Sequence, residues 1–224
     1  MGEITDQNKN ILMNKNIMPN KNKILNKNII VGVLAFQGAV SEHIECAKKA
    51  MQEREISGDV IPVKTPAELA KCSGLVIPGG ESTTINRLMK SSGIFEKIRE
   101  LGKDNFPIMG TCAGAILLSS QGDEQCKKTG ELLGLVDVKI NRNAFGRQCE
   151  SFEQELFIDD IGKFCGVFIR APLITSVGKN VRILAKLNDK IVAVQQGNII
   201  LTCFHPELAG TAIHTYFLKI ICKE

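Results

Sequence analysis

Short apolar runs alternate with amphipathic stretches from residue 29 to about residue 130. The run IIVGVLAF at 29–36 is continuous and β-branched, which predicts a strand buried on both faces. Residues 40–54 follow, where Ile44, Ala47 and Met51 recur at helical spacing and predict an amphipathic helix. GDVIPVK (58–64) reads as a second short strand. GLVIPGGEST (74–83) reads as a strand, a glycine-rich turn and a helix starting near Ser82. FPIMGTC (106–112) followed by AGAILLSSQ (113–121) repeats that plan. Such alternation predicts βαβ units, a largely parallel sheet and helices on both of its faces. Beyond residue 130 the pattern changes to strands with short connections, at 132–140, 150–158, 166–169, 181–187, 191–196 and 199–204, with a closing helix at 207–222. The expected fold is a three-layer α/β domain with a mostly parallel central sheet, its second half carrying extra antiparallel strands.

The first 28 residues have a different texture. NKN recurs at 8–10, 14–16, 20–22 and 26–28, a period of six. Six residues advance an α-helix by about 600°, so the repeat keeps no helical face. Asparagine favours neither helix nor strand. Residues 1–28 are therefore expected to be a disordered, low-complexity tail ahead of a single domain at 29–224.

Charge changes the picture little. The tail holds five lysines against Glu3 and Asp6, which leaves 23 basic and 22 acidic residues of the chain's 28 and 24 in the body. A nearly neutral body with few aromatic residues offers no electrostatic footprint for nucleic acid. No apolar run is long enough to span a bilayer, and the N-terminus lacks the apolar region of a signal peptide. Eight cysteines stand at 46, 72, 112, 126, 149, 165, 203 and 222, with no CxxC pair. That spacing argues against a structural zinc site and, with no secretory signal, for free thiols in a reducing, cytoplasmic setting.

One cysteine stands apart. Gly110-Thr111-Cys112-Ala113-Gly114 fits the turn that presents a nucleophile between a strand and a helix. Flanking glycines let such a turn pack closely, and the helix start at Ala113 favours a thiolate and an anionic intermediate. The turn alone is equally compatible with a small buried apolar side chain. A thiol nucleophile needs a base and a group to orient it. His43, in the first helix, and His214, in the last, are most simply surface or helix-packing residues. His205 ends an apolar run and stands in HPE, where Glu207 in an extended segment would share its face. The carboxylate can then hold one imidazole nitrogen while the other faces the thiol. The same segment also reads as a helix N-terminus with Glu207 as a first-turn charge. PGGEST (78–83) supplies backbone N–H groups at the carboxyl end of a strand, where ligands bind in open α/β sheets. It also reads as a plain turn capped by Ser82, and it lacks the lysine of a Walker phosphate loop.

Together GTCAG, HPE and PGGES resemble the class I, or triad, glutamine amidotransferases, whose fold is flavodoxin-like. FQGAVSEH (36–43), GLVIPGGESTT (74–84), NAFGRQ (143–148), SFE (151–153) and GVFIRAP (166–172) resemble one branch, the glutaminase subunits of pyridoxal 5′-phosphate synthases. The resemblance covers about residues 29–224. It implies hydrolysis of L-glutamine with Cys112 as nucleophile, His205 as base and Glu207 orienting His205. It implies an oxyanion hole from the N–H of Ala113 and one from Gly79–Gly80, and glutamine binding at Gly80, Glu81, Ser82, Arg142, Ile169 and Arg170. An arginine suits the α-carboxylate of glutamine, although Arg142 and Arg170 are by themselves equally read as surface or salt-bridging residues. Arg147 is expected to be structural or interfacial. No cofactor or metal is implied. The implied partner is a (β/α)₈-barrel synthase subunit that takes the ammonia and, with a pentose phosphate and a triose phosphate, builds pyridoxal 5′-phosphate. The family's glutaminase is nearly silent without it. The triad is shared with glutaminases that serve other synthases, and the sheet with non-catalytic proteins of the same fold.

Overall fold

The computed structural model describes residues 28–124, 126, 130–142 and 151–224. The tail through residue 27, the NAFGRQ segment with Arg147, and Cys149 lie outside the described residues. The first half follows the expected alternation: β1 (Ile29–Leu34), α1 (Val40–Glu53), β2 (Gly58–Val63), α2 (Pro66–Leu69), β3 (Gly74–Ile77), α3 (Ser82–Ser91), α4 (Ile94–Lys103), β4 (Ile108–Thr111) and α5 (Ala113–Leu118). The second half is strand-rich: β5 (Ser119–Gly122), β6 (Val136–Asn141), β7 (Ser151–Ile158), β8 (Gly162–Ile169), β9 (Leu173–Val177), β10 (Arg182–Leu187), β11 (Lys190–Gln196) and β12 (Ile199–Thr202). A single 3₁₀ turn at Pro206–Leu208 and helix α6 (Ala212–Cys222) follow.

The main sheet runs in the order β2-β1-β3-β4-β12-β11-β9-β6-β5, with β10 paired to β11, while β7 and β8 form a separate antiparallel hairpin. The five strands β2, β1, β3, β4 and β12 are mutually parallel. They hold the most uniformly apolar strands of the chain, as burial on both faces requires: β3, β4 and β12 are buried at every position. The crossover from β1 to β2 runs toward one edge and the crossover from β3 to β4 toward the other. Right-handed connections therefore put their helices on opposite faces, and the expected three layers result. Helix α1 packs with α6, and α3 with α4 and α5. The antiparallel additions are β6, β9, β10 and β11.

Differences from the expected elements have local causes. The helix expected through residue 121 stops at Leu118, where Ser119 turns extended (ψ 154°) and its hydroxyl donates to the Ile116 carbonyl at 2.7 Å. The strand expected from residue 132 starts at Val136, after Gly134 at φ +67° breaks the extended path. The closing helix expected from residue 207 divides at Gly210, whose φ of +126° cannot continue a helix. Strand β8 begins earlier than expected, at Gly162, and α2, α4, β5 and β9 were not anticipated. Helix α2 carries a capping box, with Thr65 accepting from the Glu68 N–H and Glu68 from the Thr65 N–H.

Candidate active site

Strand register brings the motifs together. In the parallel ladders Ile77 is opposite Gly110, and Thr202 is opposite Thr111. Chains leaving β3, β4 and β12 at their carboxyl ends therefore emerge side by side. The glycine turn follows β3, Cys112 follows β4, and His205 follows β12.

Cys112 occupies the turn at φ +48°, ψ −103°, a conformation few residues with a Cβ adopt. Its own N–H donates to the Thr202 carbonyl at 2.9 Å, which locks the turn onto β12. The flanking glycines are needed for contact rather than for dihedral freedom. A Cβ at Gly114 would stand 2.0 Å from the Ile77 carbonyl oxygen, and one at Gly110 would stand 2.5 Å from Leu118 Cδ1. The same holds at Gly79, where a Cβ would come within 2.6 Å of His205 Cε1 and 3.3 Å of Cys112 Cβ. The Gly79 backbone thus lies directly against both side chains.

The His205 N–H donates to the Val167 carbonyl of β8 at 2.8 Å, and Pro206 starts the short 3₁₀ turn. That turn, rather than a fully extended segment, brings the Glu207 carboxylate back to the imidazole, with His205 Nδ1 2.8 Å from Oε1. The two sequence readings of HPE, a paired acid and a helical start, are thus one arrangement. With Nδ1 occupied by the carboxylate, Nε2 is left for the Cys112 sulfur. Burial disfavours the imidazolium, but the Cys112 sulfur and the Glu207 carboxylate outweigh it and raise His205 to about 10. The arrangement is built to accept and hold a proton beside the sulfur. By contrast, burial pushes the thiols of Cys46, Cys72 and Cys126 up to about 11, so they stay protonated at neutral pH.

Cys112 and His205 open into a cavity of about 340 Å³ lined by Gly80, Glu81, Ser82, Ala113, Arg142, Ile169 and Arg170, together with Gln37 and Ile116. Every residue expected to bind substrate is there. Arg142 Nη2 donates to Glu81 Oε1 at 2.9 Å, and Glu81 also caps α3 by accepting from the Thr83 N–H at 3.3 Å. Partial burial works against the Glu81 carboxylate, but the Thr83 N–H and the Arg142 guanidinium hold its pKa below the usual range. Arg170 has a strained φ of +44° just after β8. Gln37 was missed as a cavity residue; its position directly after β1, at the carboxyl ends of the strands, was the available signal. Its Oε1 accepts from the Glu81 N–H at 3.2 Å. His43 and His214 are not surface residues: both are almost wholly buried, and His43 Nε2 lies 3.3 Å from Glu207 Oε2.

The profile of the SNO glutamine amidotransferase family matches residues 33–223. The chain belongs to this family. Members resembling it include the Pyridoxal 5′-phosphate synthase subunit PdxT of Methanosarcina barkeri, 53% identical over 197 residues, which are 87% of this chain and 98% of the relative. The protein of the same name from Archaeoglobus fulgidus is 48% identical over 192 residues, 85% of this chain and 97% of the relative. A solved glutamine amidotransferase crystal structure is 40% identical and superposes with a TM-score of 0.77, covering 85% of this chain and 98% of its own. A glutamine amidotransferase from Thermotoga maritima, 14% identical with a TM-score of 0.53 over 81% of this chain and 77% of its own, shares the fold. Among the described residues no helix is long and apolar enough to cross a membrane, and no three His, Cys, Asp or Glu side chains gather as a metal site.

Proposed function

We propose that this SNO-family chain hydrolyses L-glutamine to L-glutamate and ammonia, and delivers the ammonia to a synthase subunit that makes pyridoxal 5′-phosphate from a pentose phosphate and a triose phosphate. The observation that carries the reading is the Cys112–His205–Glu207 arrangement at the wall of the cavity. The thiolate of Cys112 attacks the side-chain carbonyl carbon of glutamine. The oxyanion that forms is met by the N–H of Ala113, at the start of α5, and by one from Gly79–Gly80. His205, holding the thiol proton, passes it to the departing amide nitrogen, so ammonia leaves and a γ-glutamyl thioester remains. Water then adds to the thioester with its proton taken by His205, and collapse returns the sulfur and releases glutamate. Glu207 keeps Nδ1 protonated and the ring aimed at the sulfur throughout.

In this reading Arg142 and Arg170 receive the α-carboxylate, while Glu81 and the Ser82 region receive the α-ammonium end. The relatives' name, a subunit of a synthase, supports a partnered enzyme. The tail, residues 1–28, is proposed to be dispensable for the chemistry, since its composition cannot bury enough apolar surface to offset ordering.

The test is glutamate release from glutamine by the chain assembled with the synthase subunit of the same organism. Cys112→Ala is expected to lower the rate by several powers of ten, on the order of that seen for other nucleophile removals. His205→Asn is expected to be more damaging than Glu207→Gln, because one removes proton transfer and the other only its orientation. Near-normal activity of Cys112→Ala overturns the assignment.

A further inference from the structure

The glutaminase reading uses one oxygen of Glu207. Its other oxygen, Oε2, is buried and accepts no well-aligned hydrogen bond among the described residues. The nitrogen facing it is His43 Nε2, 3.3 Å away, and neither side chain has any solvent exposure. Leaving a buried carboxylate oxygen unmatched is costly, so the polar group facing it matters.

His43 belongs to α1, which packs against the 3₁₀ turn that carries Glu207. It does not stand alone. Its Nδ1 is 2.9 Å from Nε2 of His214 on α6, and its Nε2 is also 3.2 Å from the Thr111 hydroxyl on β4. His214 Nδ1 is 3.1 Å from the Cys46 sulfur, which also lies 3.3 Å from the Gly210 carbonyl. Protons can be distributed along this row in two consistent ways. In one, Cys46 donates to His214, His214 Nε2–H donates to His43 Nδ1, and His43 Nε2–H lies between the Thr111 hydroxyl and Glu207 Oε2. In the other His214 Nδ1–H donates to the Cys46 sulfur, whose S–H goes to the Gly210 carbonyl, His43 Nδ1–H donates to His214, and His43 Nε2 accepts from the Thr111 hydroxyl with its lone pair also facing the carboxylate. An ionised carboxylate accepts and does not donate, so its repulsion of a bare Nε2 at 3.3 Å favours the first arrangement. Burial keeps both histidines neutral, and a neutral ring with Nδ1 accepting must carry its hydrogen on Nε2.

We propose that His43 is a positioning residue for glutamine hydrolysis: its Nε2–H, in a tautomer set by His214, holds the second oxygen of Glu207, so that the first oxygen keeps His205 aimed at Cys112. The proposal rests on the glutaminase reading. The 3.3 Å separation is long, as hydrogen bonds around a resting catalytic group often are.

The experiment uses the chain assembled with its synthase subunit and two polar replacements of different reach. The amide nitrogen of His43→Gln falls near the position of Nε2 and can still donate to Glu207. The amide of His43→Asn falls near the position of Nδ1, keeping a contact with His214 but not with Glu207. His43→Asn is expected to lower kcat about tenfold, within the range by which contacting residues couple, with KM for glutamine changed less than about twofold. His43→Gln is expected to recover most of that loss. In a Glu207→Gln background, where the carboxylate is gone, His43→Asn is expected to cost less than about twofold more. Equal losses in the Asn and Gln variants, or an Asn loss that persists in full beside Glu207→Gln, overturn the proposal. Failure of both variants to fold does so as well, since it assigns His43 to packing alone. A wild-type complex that releases no glutamate overturns the glutaminase reading itself, a result distinct from any of these.

Discussion

At the scale of single residues, Cys112 carries backbone strain and Gly79 a close contact within the site. Cys112 holds φ at +48° with a Cβ in place, and such a residue stores about 1–3 kcal/mol that its surroundings must offset. Elsewhere a change to glycine costs about 0.4–1 kcal/mol through the freedom of the unfolded chain. At position 112 the first effect exceeds the second. Cys112→Gly is therefore expected to be at least as stable as Cys112→Ala in urea unfolding, although both lack activity. A clear deficit of the glycine variant would show that the turn is unstrained. Gly79 makes the opposite case. A methyl group there would stand 2.6 Å from His205 Cε1, so Gly79→Ala must push the imidazole off its line to the sulfur. The expected result is loss of glutaminase activity by two or more powers of ten, about the contribution of a positioned acid–base group. The fold should persist, because the displaced group is a side chain at the wall of a cavity. Retained activity would mean that His205 is free to move without consequence.

At the scale of elements, register assembles the site, and register was only partly legible in the sequence. The strand–turn–helix units around Gly79 and Cys112 could be read because the apolar runs, the glycines and the following helices are neighbours along the chain. The pairing of HPE with these units rested on the family resemblance, since nothing in the apolar run at 199–204 says that β12 lies beside β4 rather than at an edge. The role of His43 was hidden for the same reason: its partner Glu207 is far away in the chain, and a lone histidine at a helical position gives no sign of what it faces. The boundaries missed near residues 119, 134 and 210 depend on single backbone conformations that apolar periodicity does not report. A sensitive junction next to the site is between β3 and α5. A Cβ at Gly114 would stand 2.0 Å from the Ile77 carbonyl, and backbone cannot step aside as a side chain can. Gly114→Ala is expected to destabilise the protein by about 3 kcal/mol or more, the upper range of overpacking, and to be read as a lower urea midpoint. A change under about 1 kcal/mol would show that α5 slides freely on the sheet.

At the scale of the whole molecule, the buried row behind Glu207 makes stability depend on pH in a window set by histidines. Burial holds His214 down to about 4, and burial, helped by His214 and His205, holds His43 well below its usual value. Unfolding returns both to water, where a histidine titrates near 6.5. As pH falls below about 6.5 the unfolded chain therefore binds protons that the folded protein refuses. Stability declines with each step toward pH 4, by about 1.4 kcal/mol per pH unit for each histidine still neutral in the fold. His205, protonated in the fold throughout, opposes this slope near pH 6.5, where the unfolded residue is only half protonated, and adds nothing below about pH 5.5. The lowered carboxylates, such as Glu68, Glu131 and Asp160, act in the same direction but only nearer pH 4, where they lose their partners. Between pH 6.5 and 5 the decline thus belongs to His43 and His214. Urea unfolding across that interval should show an uptake of up to two protons, and His214→Gln should remove about one of them. An unfolding free energy that stays flat from pH 6.5 to 5 would mean that the row is charged or open to water in the folded protein. The polar support behind Glu207 would then be absent.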